Sequence, residues 1–189
     1  MKIRDSGMPA EDYWESFFNV DFILSELQLN QKIKDAVEFG SGYGTFTVPA
    51  SKIIKGTIFA FDIDDTVIEI LNQKIKKENI KNIKVLKGDF EQDGTGLENE
   101  SIDYVMLFNI LHTEEPLKLL KEAYRILKPR GKAGVIHWIH SSETPRGPLL
   151  EIRPKEEQCV NWLIETGFEI LVKPVLLPPY HYGLVGIKK

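Results

Sequence analysis

The sequence predicts an α/β fold: a doubly wound, seven-stranded and mostly parallel sheet with a C-terminal antiparallel hairpin. Three observations predict it. From residue 36 onward, short apolar runs alternate with amphipathic stretches, the pattern of successive βα units. A glycine-rich loop, Gly40-Ser41-Gly42-Tyr43-Gly44, stands directly between the first apolar run and a helix-like stretch. The last two apolar runs are separated only by Pro178, Pro179, Tyr180 and His181, too few residues for a crossover, so that pair must be antiparallel.

In chain order, residues 8–27 mix aromatic and acidic residues at helical spacing and read as one or two short helices. They form an expected N-terminal helical cap, residues 1–30, ahead of a single domain, residues 31–189. The expected strands are Ala36 to Phe39, Thr57 to Asp62, Ile83 to Leu86, Tyr104 to Phe108, Ala133 to Trp138, Phe168 to Leu177 and Tyr182 to Ile187. A helix over Thr45 to Ile54 follows the glycine loop. Val67, Ile70, Leu71 and Ile75, and then Leu117, Leu120, Tyr124 and Leu127, mark two further helices with one buried stripe each. A last helix runs from about Pro154 to Thr166, with Val160, Leu163 and Ile164 inward and Gly167 at its end. The lysine-rich stretch from Lys74 to Lys87 reads as a solvated helix face and turn.

The chain has 189 residues, 42% hydrophobic and 28% charged, which suits one globular domain and excludes a disordered chain, a collagen-like repeat or a coiled-coil rod. Its net charge of −4 offers no electrostatic footprint for nucleic acid. The single Cys159 excludes an intrachain disulfide framework and a cysteine-based metal cluster, and it fits a reducing compartment, so a cytoplasmic location is expected. No apolar run approaches the ~18 residues of a membrane span, and the acidic N-terminus does not read as a signal peptide.

Glycines between a parallel strand and a helix let backbone amides approach a ligand at the carboxyl edge of the sheet. Asp62 ends the second strand, where such folds place a carboxylate that accepts hydrogen bonds from ribose hydroxyls. Asp64 and Asp65 are the better caps for the following helix, which leaves Asp62 for a ligand. A dinucleotide fingerprint would need glycine at position 45, where the sequence has Thr45, so a nicotinamide-dependent oxidoreductase is disfavoured.

The order Glu38-x-Gly40-x-Gly42-x-Gly44, Phe61-Asp62 and Gly88-Asp89-Phe90 resembles the class I S-adenosylmethionine-dependent methyltransferases. Ser101 to Val105 with Phe108 to His112, and Glu122 to Lys132, are similar to that family's fourth strand and to the helix and turn that lead into its fifth. Arg130 departs from a glycine often found in that turn. The resemblance implies S-adenosylmethionine as cofactor. Glu38, Gly40 and Gly42 would line its methionine and ribose end, Asp62 would hold the ribose, Asp89 and the Phe90 amide would read the adenine edge, and Asn109 would face the methionine portion.

Methyl transfer is an in-line displacement, so the protein mainly aligns the reactants and removes a proton where the nucleophile needs it. By topology His112, His137, His140 and His181 all lie near the carboxyl edge. His112 is the base candidate, and His137, inside an apolar run, reads as a core residue. Arg146 and Arg153 lie in a proline-stiffened loop after the fifth strand, able either to fork onto an anionic substrate or to pair with Glu143 or Glu151. Arg146 and His181 are the candidate substrate-binding residues, expected to converge with His112 on one cavity. Tyr13 and Trp14 are expected to help cover the cofactor. No histidine spacing matches a metal motif, so no metal is expected. Asn109-Ile110-Leu111-His112 lacks the Asn/Asp-Pro-Pro-aromatic tetrapeptide of DNA amino-methylating enzymes, and one cysteine is too few for arsenic methylation. The expected activity is methyl transfer to a small-molecule acceptor. The alternative is a non-catalytic cofactor-binding or partner-binding domain on the same scaffold.

Overall fold

A computed structural model describes residues 8–189. Two short helices, α1 (Glu11–Glu15) and α2 (Val20–Glu26), precede the sheet. The rest alternates as β1 (Ala36–Phe39), α3 (Thr47–Ile53), β2 (Ile58–Asp62), α4 (Asp65–Lys77), β3 (Ile83–Lys87), α5 (Phe90–Asp93), β4 (Ile102–Phe108), α6 (Pro116–Ile126) and β5 (Leu127–Trp138). A 3-10 turn (Leu150–Ile152), α7 (Glu156–Thr166), β6 (Phe168–Leu177) and β7 (His181–Lys188) complete the chain.

The seven strands form one sheet in the order β3-β2-β1-β4-β5-β7-β6. β1 to β5 pair in parallel, while β7 runs antiparallel to both β5 and β6, so β6 is parallel to the first five. The carboxyl ends of the parallel strands and the β6–β7 turn therefore share one edge, and the chemistry-bearing loops gather there.

Alternation of side chains across the strands divides the core in two. Val37, Phe39, Val105 and Leu107 pack with Leu119, Leu120, Ala123 and Leu163 on one face. On the other, Ala36, Tyr104 and Met106 pack with Ile23, Leu24, Phe46 and Ala50. The Tyr104 hydroxyl crosses Gly134 of β5 and donates to the Leu27 carbonyl at 2.8 Å, which ties the N-terminal helices to the sheet. A Cβ at Gly134 would collide with that hydroxyl.

Local chemistry explains the helix ends. Asp64 accepts from the Thr66 amide at 2.7 Å and caps α4 as expected, whereas Asp65 pairs with Lys87 at 2.6 Å. Pro116 opens α6, and Gly167, at φ 109°, closes α7 in the left-handed conformation. Three expectations need correction. β5 begins at Leu127, directly after α6, and its pairing with β4 jumps from Ile102↔Leu127 to Tyr104↔Lys132, so the turn residues are absorbed as an irregularity in the strand. Ile164 faces solvent at 55% exposure, because the buried stripe of α7 runs through Cys159 and Leu163. Lys74 belongs to no solvated face: it reaches α1, pairing with Glu11 and Glu15, and donates to the Tyr43 carbonyl at 3.0 Å.

Candidate cofactor and acceptor site

At the end of β1 the chain turns sharply. The Gly40 and Ser41 amides both donate to the Phe61 carbonyl at 2.9 Å, which pins the loop to β2. Gly40 and Gly42 take φ of 76° and 51°, a region side-chain-bearing residues seldom adopt. The Gly42 amide donates to Asp62 Oδ2 at 2.8 Å, and Asp62 Oδ1 accepts from Ile63 at 2.8 Å and Asp64 at 3.0 Å. Asp62 thus joins the glycine loop to the end of β2 while staying half-buried at the rim. Glu38, only 2% exposed, accepts from the Thr47 hydroxyl on α3. Burial pushes its carboxyl up to about 8, against the opposing effect of the Thr47 bond, and the Asp62 charge adds to the rise.

Beyond β3, Asp89 caps α5 through the Gln92 amide at 3.3 Å. It lines a cavity of about 110 Å³ with Ile63, Gly88, Phe90, Lys118 and Leu119. The Phe90 ring stacks on Phe39 at 4.9 Å between centroids, inside the core, so its backbone is the part that can serve a ligand. Asn109, just past β4, adopts φ 55°, and its amide donates to the Ile136 carbonyl at 2.8 Å. Both polar atoms of its side chain are buried without a hydrogen-bond partner among the described residues, as are the hydroxyls of Ser41 and Thr45 in the glycine loop. Buried polar groups are rarely left unpaired, so these atoms mark a place built for a polar ligand. A ligand with a diol, a flat heterocycle and an amino-acid end fits the Asp62 carboxylate, the cavity beside Asp89 and the orphaned Asn109 amide.

On the acceptor side, His112 Nδ1 lies 3.3 Å from His137 Nε2, so the histidine that reads as a core residue is the partner of the base candidate. Burial, with the charge of Arg153, pushes His112 down to about 4. His137, fully buried, is lowered for the same reasons. Arg153 is itself buried, and its guanidinium donates to the carbonyls of Ile139 at 2.9 Å, Ser141 at 3.0 Å and Pro148 at 2.7 Å and to the Thr144 hydroxyl at 2.8 Å. It shapes the loop after β5, and the Glu143 and Glu151 carboxylates are not its partners. Arg146 lies on this loop, its carbonyl 3.4 Å from the same guanidinium.

His181 reaches the expected edge but does not join His112. His137 pairs in register with Tyr182 and Trp138 with His181, so the two histidines point to opposite faces of the sheet. The His181 ring sits 4.3 Å from Trp138 and 4.5 Å from Phe18, wholly buried, with neither nitrogen hydrogen-bonded among the described residues. Trp14 and Phe17 pack on the same Trp138, while Tyr13 is 46% exposed. Met8 lies over the glycine loop, 3.2 Å from where a Gly42 Cβ would stand, and Tyr43 donates to the Pro9 carbonyl at 2.9 Å. Deleting residues 1–16 is therefore expected to weaken cofactor binding about fivefold, on the scale of ~1 kcal/mol, while melting stays cooperative. Calorimetry and thermal melting check this, and loss of cooperative melting would assign the segment to packing instead.

Sequence reasoning missed Ile63 as a lining residue, although an apolar residue directly after a ligand carboxylate at a strand end is a usable signal. It missed the His112–His137 pair because the two lie 25 residues apart on neighbouring elements.

Comparison with known proteins bears on the same residues. The profile of the methyltransferase domain family matches residues 37–135, more than half of the chain. The chain is 32% identical over 102 residues to the demethylmenaquinone methyltransferase of Lactococcus lactis, covering 53% of this chain and 40% of that protein. It is 26% identical over 167 residues to the chloroplastic 2-methyl-6-phytyl-1,4-hydroquinone methyltransferase of Arabidopsis thaliana, covering 87% of this chain and 48% of that one. The chain thus spans less than half the length of these curated relatives. A crystal structure of a SAM-dependent methyltransferase from Aquifex aeolicus superposes with a TM-score of 0.82 at 25% identity, over 95% of this chain and 94% of that one. Glycine loop, Asp62, Asp89 and Asn109 stand at one sheet edge in the family's order, and the chain belongs to the class I S-adenosylmethionine-dependent methyltransferases, with S-adenosylmethionine as cofactor.

Proposed function

We propose that this domain transfers the methyl group of S-adenosylmethionine to a small acceptor with a hydroxylated aromatic ring of hydroquinone type. The observation that carries the acceptor class is the aromatic cluster at the end of β5, where the half-buried Trp14 and Tyr180 pack with the buried Phe17 around the buried Trp138, ring centroids 5.3–6.4 Å apart. Rings with polar tips and flat faces suit a flat, partly polar acceptor. The names of the two quinone-directed relatives point the same way.

In this reading Asp62 accepts from the ribose, Asp89 and the Phe90 amide meet the adenine, and Gly40, Gly42, Glu38 and Asn109 surround the methionine end. The cofactor supplies an electrophilic methyl on a sulfonium. The protein aligns the acceptor with it, and the ring wall and the loop built on Arg153 keep water from the reacting atoms. Arg146 and His112 stand on the loops that bound the acceptor.

Incubation with methyl-labelled S-adenosylmethionine and a panel of substituted hydroquinones tests the proposal. Label transfer to a ring-bearing acceptor is expected. Tight cofactor binding with no transfer to any hydroquinone, phenol or other small acceptor would favour a non-catalytic cofactor-binding domain.

A further inference from the structure

The surroundings of His112 narrow the chemistry of the acceptor beyond its shape. A general base must be stabilised once it holds the proton it takes, and in hydrolase triads a carboxylate behind the imidazole stabilises the imidazolium. Here the group behind His112 is a second imidazole, His137, and among the described residues no carboxylate bonds to either ring. Among the described residues, the titratable and charged groups facing the pair are Arg153, in the segment before α7, and Tyr182 on β7, with Cys159 of α7 behind the Tyr182 hydroxyl at 3.3 Å, while His181 acts on His137 from the opposite face of the sheet. Arg153 is 6% exposed and its described partners are carbonyls and one hydroxyl, so its positive charge is not cancelled by a paired anion. Burial, the Arg153 charge and the lack of a carboxylate partner each oppose a proton on His112.

The pair also has a direction. His137 Nδ1 is buried with no hydrogen-bond partner among the described residues. The neighbouring Trp138 backbone does not meet hydrogen-bond geometry with it, and a buried N–H without a partner is rarer than a buried lone pair without one, so we assign the His137 proton to Nε2, donating to His112 Nδ1. His112 then carries its own proton on Nε2, the nitrogen turned away from His137, and offers a donor there.

We propose that the acceptor binds with an ionised oxygen, as a phenolate or enolate and not as an amine or aliphatic alcohol, and that neutral His112 donates a hydrogen bond to it while His137 fixes the ring. This rests on the methyl-transfer reading above. The acceptor's electron pair, at the oxygen or at a ring carbon conjugated to it, forms the new bond to the methyl carbon. The carbon–sulfur bond breaks with its pair on sulfur, giving a neutral thioether, and a ring carbon that attacked then releases its proton to water. No protein base is needed at the transfer step. An imidazole lowered to about 4 would be a poor base near neutral pH and a sound neutral donor.

4-Nitrophenol, coloured only as its phenolate, tests this on the protein saturated with S-adenosylhomocysteine. The expected result is saturable binding with an ionisation midpoint at least about one pH unit below that of the free probe, a tenfold preference for the phenolate. His112→Leu should abolish the shift, and His112→Gln, which keeps a donor, should retain part of it. His137→Phe should diminish it while S-adenosylhomocysteine still binds. An unshifted midpoint, a shift undiminished in His112→Leu, equal affinity for 4-nitroanisole, or no saturable binding of the phenol would overturn the proposal. If His112→Leu fails to melt cooperatively, a full shift in His112→Gln together with an undiminished one in His137→Phe would overturn it equally. Calorimetry with S-adenosylhomocysteine alone reports separately on the methyl-transfer reading: without that binding the reading fails, whereas binding without a phenolate shift sinks only the present proposal.

Discussion

Asp62→Ala is expected to weaken S-adenosylmethionine binding by ~1–3 kcal/mol, about 5- to 150-fold, through loss of charge-assisted hydrogen bonds to the ribose. The carboxylate already accepts from three backbone amides, those of Gly42, Ile63 and Asp64, which hold it at the rim with little freedom left to lose on binding. Alanine would remove the ribose acceptor and also release the glycine loop from β2. The second effect makes Asp62→Asn the informative companion: its amide oxygen can keep one backbone bond, but its charge is gone. Calorimetry on both variants, with thermal melting as a check, separates the contributions. A larger affinity loss in alanine than in asparagine would weigh the loop tether, and equal losses would weigh the charge. Unchanged affinity in both would remove Asp62 from the cofactor site.

The legible parts of this protein were those encoded locally. Strand-loop-helix order, three glycines at alternate positions and a carboxylate at the next strand end are all short-range patterns, and the sheet edge that collects them follows from parallel pairing alone. The closing hairpin was legible because four residues cannot make a crossover. What escaped depends on tertiary neighbours. His137 sits in an apolar run whose alternation says only that it is buried, and nothing in its own segment shows that His112 is its partner. The sequence leaves Arg153 either an anionic substrate or Glu143 or Glu151 as partner, but its partners are the Thr144 hydroxyl and backbone carbonyls, which every residue carries and no sequence pattern marks. His181 was placed at the right edge by strand direction. Which face of the sheet it takes depends on the register with Trp138, and one residue of slip would reverse it.

Glu38 should make the cofactor-free protein lose stability as pH rises from about 6.5 to about 8. Its carboxyl titrates near 4.5 in an unfolded chain and at about 8 when folded, so between these values the folded state holds a proton that the unfolded state has released. Stability therefore falls with rising pH across that window, by ~1.4 kcal/mol per pH unit for one full proton. Below about pH 7 the fall is masked. His112, His137 and His181 are all lowered by burial, so there the unfolded chain binds more protons at these sites and stability rises with pH. From pH 6.5 to pH 8 the Glu38 contribution falls by about 2 kcal/mol, but the three histidines, half-protonated at pH 6.5 in the unfolded chain, return about 1 kcal/mol over the same range, so the net loss is under about 1 kcal/mol. Urea denaturation of the wild-type and Glu38→Gln proteins at pH 6.5 and pH 8 isolates the Glu38 part, because the histidine contribution is common to both. Glu38→Gln, neutral and nearly isosteric, should instead gain about 1 kcal/mol from pH 6.5 to pH 8 and be the more stable protein at pH 8; the same change in both proteins would show that another group titrates. Saturating S-adenosylmethionine supplies a second check. If its cationic end lies by Glu38, as proposed, the ionised carboxylate is favoured on binding, and the decline between pH 6.5 and pH 8 should shrink in the complex of the wild-type protein but not in that of Glu38→Gln.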